Sequence, residues 1–288
     1  MIHHLTRLAL VGCLLAGTAA TAQVGPEIAY ATSASRAEVH LINANGTGHR
    51  VLYRGPTRSQ IYHVDIKPGG GELAVEEHAT DNSLRLEPIS AIKIIKYDAN
   101  GSIVGSVRTL QLTCLTGSLD YHPTDGTLLY RNCSNPKRIS RLNPTTMTSS
   151  VVGLTHNAFI AGWLSATQLL YYADQKFWTV STASLTSPIQ VAAWPSPAAL
   201  DTSTSGNKGL WSAFGSIHLI NVTSGQITPF QQPAQKGHFS PDDQRVAYIT
   251  GAEIGQKDQY VIVRQTDGSG APTNVAGQGS FTALDWRN

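Results

Sequence analysis

The sequence predicts an all-β fold, a six-bladed β-propeller of four-stranded blades whose ring is closed by pairing of the N- and C-terminal strands. Three observations predict it. Two kinds of strand–turn–strand hairpin alternate along the chain. The first kind recurs at residues 39, 92, 138, 177, 217 and 260, intervals of 39 to 53 residues, and periods near 40 residues mark propellers and related repeat architectures. The last copy of the second kind is split between the two ends of the chain.

Each hairpin of the first kind carries apolar alternation into a turn rich in Asn, Asp, Gly, Ser or Pro, residues that supply positive φ or a preset turn angle. The copies are VHLINANGTGHRVLY (39–53), IKIIKYDANGSIVGSV (92–107), RISRLNPTTMTSSVVG (138–153), FWTVSTASLTSPIQVA (177–192), IHLINVTSGQITPF (217–230) and YVIVRQTDGSGAPTNVA (260–276). Between them lie YHVDIKPGGGELAVEE, SLDYHPTDGTLLYRN, AGWLSATQLLYYAD, LDTSTSGNKGLWSAFG and GHFSPDDQRVAYIT. The sixth copy is divided. FTALDWRN at the C-terminus is a first strand without its partner, and IAYAT near the N-terminus is a second strand without its first. Pairing them closes the ring and hides both terminal edges, which would otherwise invite aggregation. No segment sustains a 3.6-residue apolar period long enough for a substantial helix, which disfavours an α/β enzyme fold.

Composition agrees with many short strands in one domain. Hydrophobic residues make up 41% of the 288, enough for a real core, and 26 Gly with 14 Pro point to frequent turns. Only 14% of residues are charged and the net charge is +2, so no basic field or Lys/Arg cluster is present to steer nucleic acid.

Residues 1–22 read as a signal peptide: His3, His4 and Arg7 start it, LALVGCLLAG is its apolar stretch, and Ala20-Thr21-Ala22 offers a small-x-small cleavage site. The single propeller domain then spans 23–288. A competing reading makes Cys13 a lipidated residue of a lipobox, with few apolar residues before it. The stretch is too short to span a bilayer and no later segment approaches that length, so the expected location is periplasmic or secreted, with no transmembrane segment in the mature chain. Export into an oxidising compartment favours a disulfide between Cys114 and Cys133, which flank one hairpin and are expected to face each other across it.

His238-Phe239-Ser240-Pro241-Asp242-Asp243, followed by Arg245-Val246-Ala247-Tyr248-Ile249, and Val39-His40-Leu41-Ile42-Asn43-Ala44-Asn45-Gly46-Thr47-Gly48 together resemble the repeat of TolB-like propellers. The usual form of that repeat is an aromatic-Ser-Pro-Asp-Gly turn with a strand–Asp-Gly hairpin. The resemblance covers the mature chain through repetition and is sharp in two blades; Trp163-Leu164-Ser165-Ala166 has lost its Pro. No counterpart of the additional N-terminal α/β domain of TolB itself is read in these residues. The resemblance implies the propeller fold, an exported location and, more weakly, a Tol-system role.

Aligning the second hairpins places Asp65, Asp120, Asp201 and Asp285 in one register, with Gly162 and His238 filling the slot in the other two blades. First strands line the central channel, so these carboxylates either ring the axis and hold a divalent cation such as calcium, or bond backbone groups of a turn or neighbouring blade. The residues after the slot, Ile66, Tyr121, Trp163, Phe239 and Trp286, are expected to pack between blades.

Propellers bind through the loops between blades and between second and third strands. The longest such loop is expected from Glu76 to Pro88, and a second from Ala252 to Asp258. Arg58, Glu76, Glu77, His78, Asp81, Arg131, Asp174 and Glu253 would share that face, although Glu76 and Glu77 point to opposite sides if they lie on a strand. No Gly-x-Ser-x-Gly elbow and no phosphate loop is present, and no catalytic residue is assigned. The expectation is an exported module, more a binder than an enzyme, that takes a protein or cell-envelope component. The rival is a small hydrolase or lyase acting on a saccharide or ester at the channel mouth through His63, His78, His122 or His238.

Overall fold

A computed structural model of the chain describes residues 27–33, 36–79, 89–132, 138–195, 197–251 and 258–287. Blade 1 contributes β1 (Glu27–Ser33), β2 (Arg36–Asn43) and β3 (Arg50–Thr57), and blade 2 holds β4 (Ser59–Ile66), β5 (Glu72–Ala79), β6 (Ile89–Lys96) and β7 (Arg108–Leu112). Blade 3 holds β8 (Leu119–Tyr121), β9 (Leu128–Asn132), β10 (Arg138–Asn143) and β11 (Thr148–Val151). Blade 4 follows with β12 (Ile160–Ser165), β13 (Gln168–Ala173), β14 (Lys176–Ser181) and β15 (Ile189–Ala193). Blade 5 has β16 (Ala199–Thr202), β17 (Lys208–Ala213), β18 (Ser216–Asn221) and β19 (Ile227–Gln231). Blade 6 has β20 (Ala234–Phe239), β21 (Arg245–Thr250), β22 (Gln259–Gln265) and β23 (Thr273–Gly279), and β24 (Phe281–Arg287) returns to blade 1.

Each blade is an antiparallel meander, and β24 pairs with β1 in the register Ile28↔Trp286, Ala29↔Asp285 and Tyr30↔Leu284. The predicted closure is therefore present. The innermost strands β24, β4, β8, β12, β16 and β20 neighbour one another around the axis and return to the start. Connections between blades and between second and third strands share one face, the loop face. The tight turns within the two hairpins of each blade lie on the opposite face, the turn face.

Strand alternation builds the core. In β1, Ala29 and Ala31 pack toward blade 2, whereas Ile28 and Tyr30 pack toward blade 6. Every blade is covered on both sides in this way, and the described residues form one apolar cluster per blade interface. Strands buried on both faces read as near-continuous apolar runs, which is why LLY, QLLYYA and RVAYI carry so few charges. Trp211 and Trp286 are wholly buried at two of these interfaces.

Two local expectations need correction. The outer strand of blade 2 is Arg108–Leu112 rather than the segment ending at Val107. Asp98 Oδ1 accepts the backbone N–H of Asn100 and Ser102, both at 2.9 Å, and Tyr97 bridges Ile103, so a small closed turn delays the strand. The ladder between β8 and β9 begins at Leu119↔Tyr130, so Cys114 precedes it on the interblade connection and does not occupy a cross-strand position. Cys133, Cys13 and residues 1–22 lie outside the described residues.

Candidate functional site

The central channel has two chemically different ends separated by a level of aspartates. At that level Asp285 Oδ2 accepts the backbone N–H of Ile66 at 2.6 Å, and Asp65 Oδ2 that of Tyr121 at 2.5 Å. Asp120 Oδ2 accepts from Trp163 at 2.5 Å, and Asp201 Oδ2 from Phe239 at 2.7 Å. Each carboxylate therefore ties its own blade to the next inner strand, on the residue that follows the next blade's slot. Such charge-assisted bonds are short and strong.

The two blades without Asp complete the ring by other means. A Cβ at Gly162 would stand 3.2 Å from Asp120 Oδ2 and 3.1 Å from Thr202 Cγ2, so glycine leaves room for both. Thr202 Oγ1 donates back across that interface to the Trp163 carbonyl at 2.5 Å. In blade 6, His238 Nδ1 lies 3.0 Å from Asp285 Oδ1 and 3.7 Å from Asp201 Oδ1. Among the described residues no three His, Cys, Asp or Glu gather as a metal ion would require.

At the turn face the channel opens into a space of about 170 Å³ to which all six blades contribute, lined by Pro68, Pro123, Trp163, Ser203, Phe239 and Trp286 among others. Its walls are rings, prolines and short hydroxyl side chains, with no lysine or arginine.

The loop-face end is narrower and charged, with about 20 Å³ of free space lined by Tyr62, His63, Ser118, Lys236 and His238 among others. Bulges in β4 and β20 shape it, beside a third in β24 where the register jumps from Ala31↔Ala283 to Thr32↔Phe281. In β4 the register jumps from Ile61↔Glu77 to His63↔Glu76, leaving Tyr62 extra. In β20 it jumps from Gln235↔Ile249 to His238↔Ala247, and Lys236 has φ of 51°. Bulges re-aim side chains at the ends of strands. Here Lys236 is 6% exposed and its ammonium donates to the Tyr62 carbonyl at 3.2 Å. Gly237 permits the bulge, since a Cβ there would meet Leu210 Cδ2 at 2.4 Å.

Glu76 lies on β5, fully buried, and accepts from Thr116 N at 2.5 Å, Thr116 Oγ1 at 2.8 Å and Ser90 Oγ at 3.1 Å, with His63 Nε2 at 3.8 Å. Burial raises the carboxyl pKa of Glu76 despite these donors. Burial lowers the Lys236 ammonium to about 8. His63 is held well below its ordinary value, by burial first and then by Lys236, His238 and Arg131. Arg131, also buried, donates from Nη2 to the Leu115 carbonyl at 3.0 Å and stacks on Phe159 with 4.3 Å to the ring centre. Its Nε and Nη1 have no hydrogen-bond partner among the described residues.

The expected loop-face set is thus only partly surface. Arg58 and Asp174 are exposed at turns on that face, both with positive φ. Glu76, Glu77 and His78 do not open a solvated loop: they belong to β5 and are buried, Glu76 and Glu77 being bonded by groups from other strands and blades. Their opposed orientation is present. Glu76 turns to Thr116 of the connection into blade 3, and Glu77 to Tyr53 of blade 1 and to Lys93. Arg131 is likewise on a strand. Asp81 and Glu253 lie outside the described residues. Lys236, Gln235 and Ser118 were missed by sequence reasoning. The only available signal was a lone Lys just before the sharpest repeat motif.

No protein-family model and no curated protein sequence matches the chain. Solved structures do. TolB from Acinetobacter baumannii superposes with TM-score 0.70 at 14% identity, over 92% of this chain and 67% of that one. A chain of a nidogen/laminin complex gives TM-score 0.66 at 13% identity, over 92% and 99%. A structure assigned as TolB from Agrobacterium tumefaciens gives 0.61 at 13%, over 90% and 92%. The chain has the six-bladed propeller fold of the TolB-like proteins.

Proposed function

We propose that the chain is an exported binding module that receives a protein or cell-envelope component on its loop face. The observation that carries this reading is that Phe159 and Phe214, 44% and 80% exposed, both stand at connections of that face, Phe159 against Arg131 beside the polar end of the channel. Exposed aromatic rings are enriched at recognition surfaces, where they serve as anchors. Support also comes from the nidogen/laminin complex, where a chain of the same fold sits in a protein assembly. Residues 1–22 serve as the export signal in this proposal, and Cys114 pairs with Cys133 beside the loop face.

Affinity capture from a native envelope extract, with wild type beside a Phe159→Ser/Phe214→Ser double variant and with or without chelator, tests it. A partner whose recovery falls at least about tenfold in the double variant, as expected for two interface anchors of more than 1 kcal/mol each, supports the reading. Equal recovery by both proteins sinks it. Loss with chelator would implicate a cation in the channel. The rival hydrolase or lyase has one favourable feature, since His63 and His238 both line the polar end. About 20 Å³ of space there is near the room for a single water and far below a saccharide.

A further inference from the structure

Among the described residues, the loop-face end of the channel has an excess of buried donors over acceptors. Arg131 is 7% exposed and its Nε and Nη1 are unpartnered. Its guanidinium lies directly behind Gly117, one of the lining residues, since a Cβ there would be 3.5 Å from Arg131 Cζ. Lys236 spends one hydrogen bond on the Tyr62 carbonyl, leaving ammonium protons unused. Gln235 Nε2 and Ser118 Oγ are also buried without partners. Among the described residues the carboxylate that acts on both cations is Glu76, and it already accepts three hydrogen bonds from other groups. Below this level the carboxylates of Asp201 and Asp285 are engaged with backbone N–H groups and His238.

Two buried cations beside one saturated carboxylate are costly unless a further anion compensates them. We infer that the loop-face end of the channel is an anion site that takes a single carboxylate group, with Lys236 and Arg131 as its cationic donors. The free space, about 20 Å³, admits the tip of a carboxylate and excludes a sugar or a nucleotide phosphate chain. The carboxylate comes either from a small free acid or from an Asp, Glu or C-terminus of the partner proposed above. Only the second source rests on that reading.

The test is thermal unfolding of the purified chain with sodium acetate as probe, comparing wild type with Lys236→Met and, separately, Arg131→Met. Non-specific salt effects act on all three alike. Acetate at roughly ten times its Kd should raise the wild-type midpoint by about 3 °C and leave either correctly folded variant unmoved. The acetate effect should fade as pH rises through about 8, because Lys236, faced by Tyr62 O, Glu76, His63, His238 and Arg131, then loses its charge. Equal acetate responses in wild type and variants overturn the site. Acetate competition in the envelope capture distinguishes the sources: reduced partner recovery means the partner supplies the carboxylate, and unchanged recovery beside a raised midpoint means a free acid does. A captured partner with no acetate effect on the midpoint removes the anion site and leaves the binding module standing.

Discussion

The two ends of one channel solve opposite problems with the same inner strands. Toward the turn face the aspartates are matched one to one with backbone N–H groups of the next blade, and aromatic residues fill the interfaces. Toward the loop face three inner strands, β4, β20 and β24, bulge, and several of the side chains delivered there are charged, buried and short of partners. The matched end holds the ring together. The unmatched end stores cost, and polar groups kept buried at a cost are where function concentrates.

Breaking the matched end should have the largest effect. Asp120→Ala removes a charge-assisted bond and strands the buried N–H of Trp163, which should cost about 3 kcal/mol in denaturant unfolding. A loss under 0.5 kcal/mol would mean that the tie is ornamental. At the unmatched end the sign should reverse. Lys236→Met deletes a buried charge whose pKa is pushed from 10.5 to about 8. Stability in acetate-free buffer should rise by about 2–3 kcal/mol at neutral pH.

The pH dependence sharpens the same contrast. The folded pKa of Lys236 lies below its unfolded value, so the penalty is full below about 8 and vanishes by 10.5. Wild-type stability should therefore rise with pH across that window, and the rise should disappear in Lys236→Met. His63 acts in the acid range: its folded pKa is depressed, so its neutral form supports the fold above 6.5 and stability falls as pH drops below that value. A His63→Gln variant with an unchanged acid slope would remove this assignment. The smallest expected effect is at Phe214, 80% exposed, where Phe214→Ser should leave stability within about 0.5 kcal/mol while weakening partner capture.

Much of this was readable without coordinates. Strand alternation, turn chemistry and the split sixth hairpin are local patterns, so blade number and ring closure followed from them. The aspartate register was equally visible, because Asp65, Asp120, Asp201 and Asp285 recur at one position of a repeat. What each carboxylate bonds to was not readable, since its partner stands 38 to 219 residues away on the next blade. Glu76-Glu77-His78 looks like the start of a solvated loop in sequence, and becomes buried strand only because Thr116, Ser90, Tyr53 and Lys93 converge on it.

The sequence by itself determined the repeat, the strand count and the closure, because each depends on periodicity within a few residues. The tertiary structure alone decided which polar groups are satisfied and which are left over. A one-residue bulge at Lys236 and another at Tyr62 turn side chains into the channel, and no local pattern records such register shifts or the close approach of Leu210, from the neighbouring blade, to Gly237.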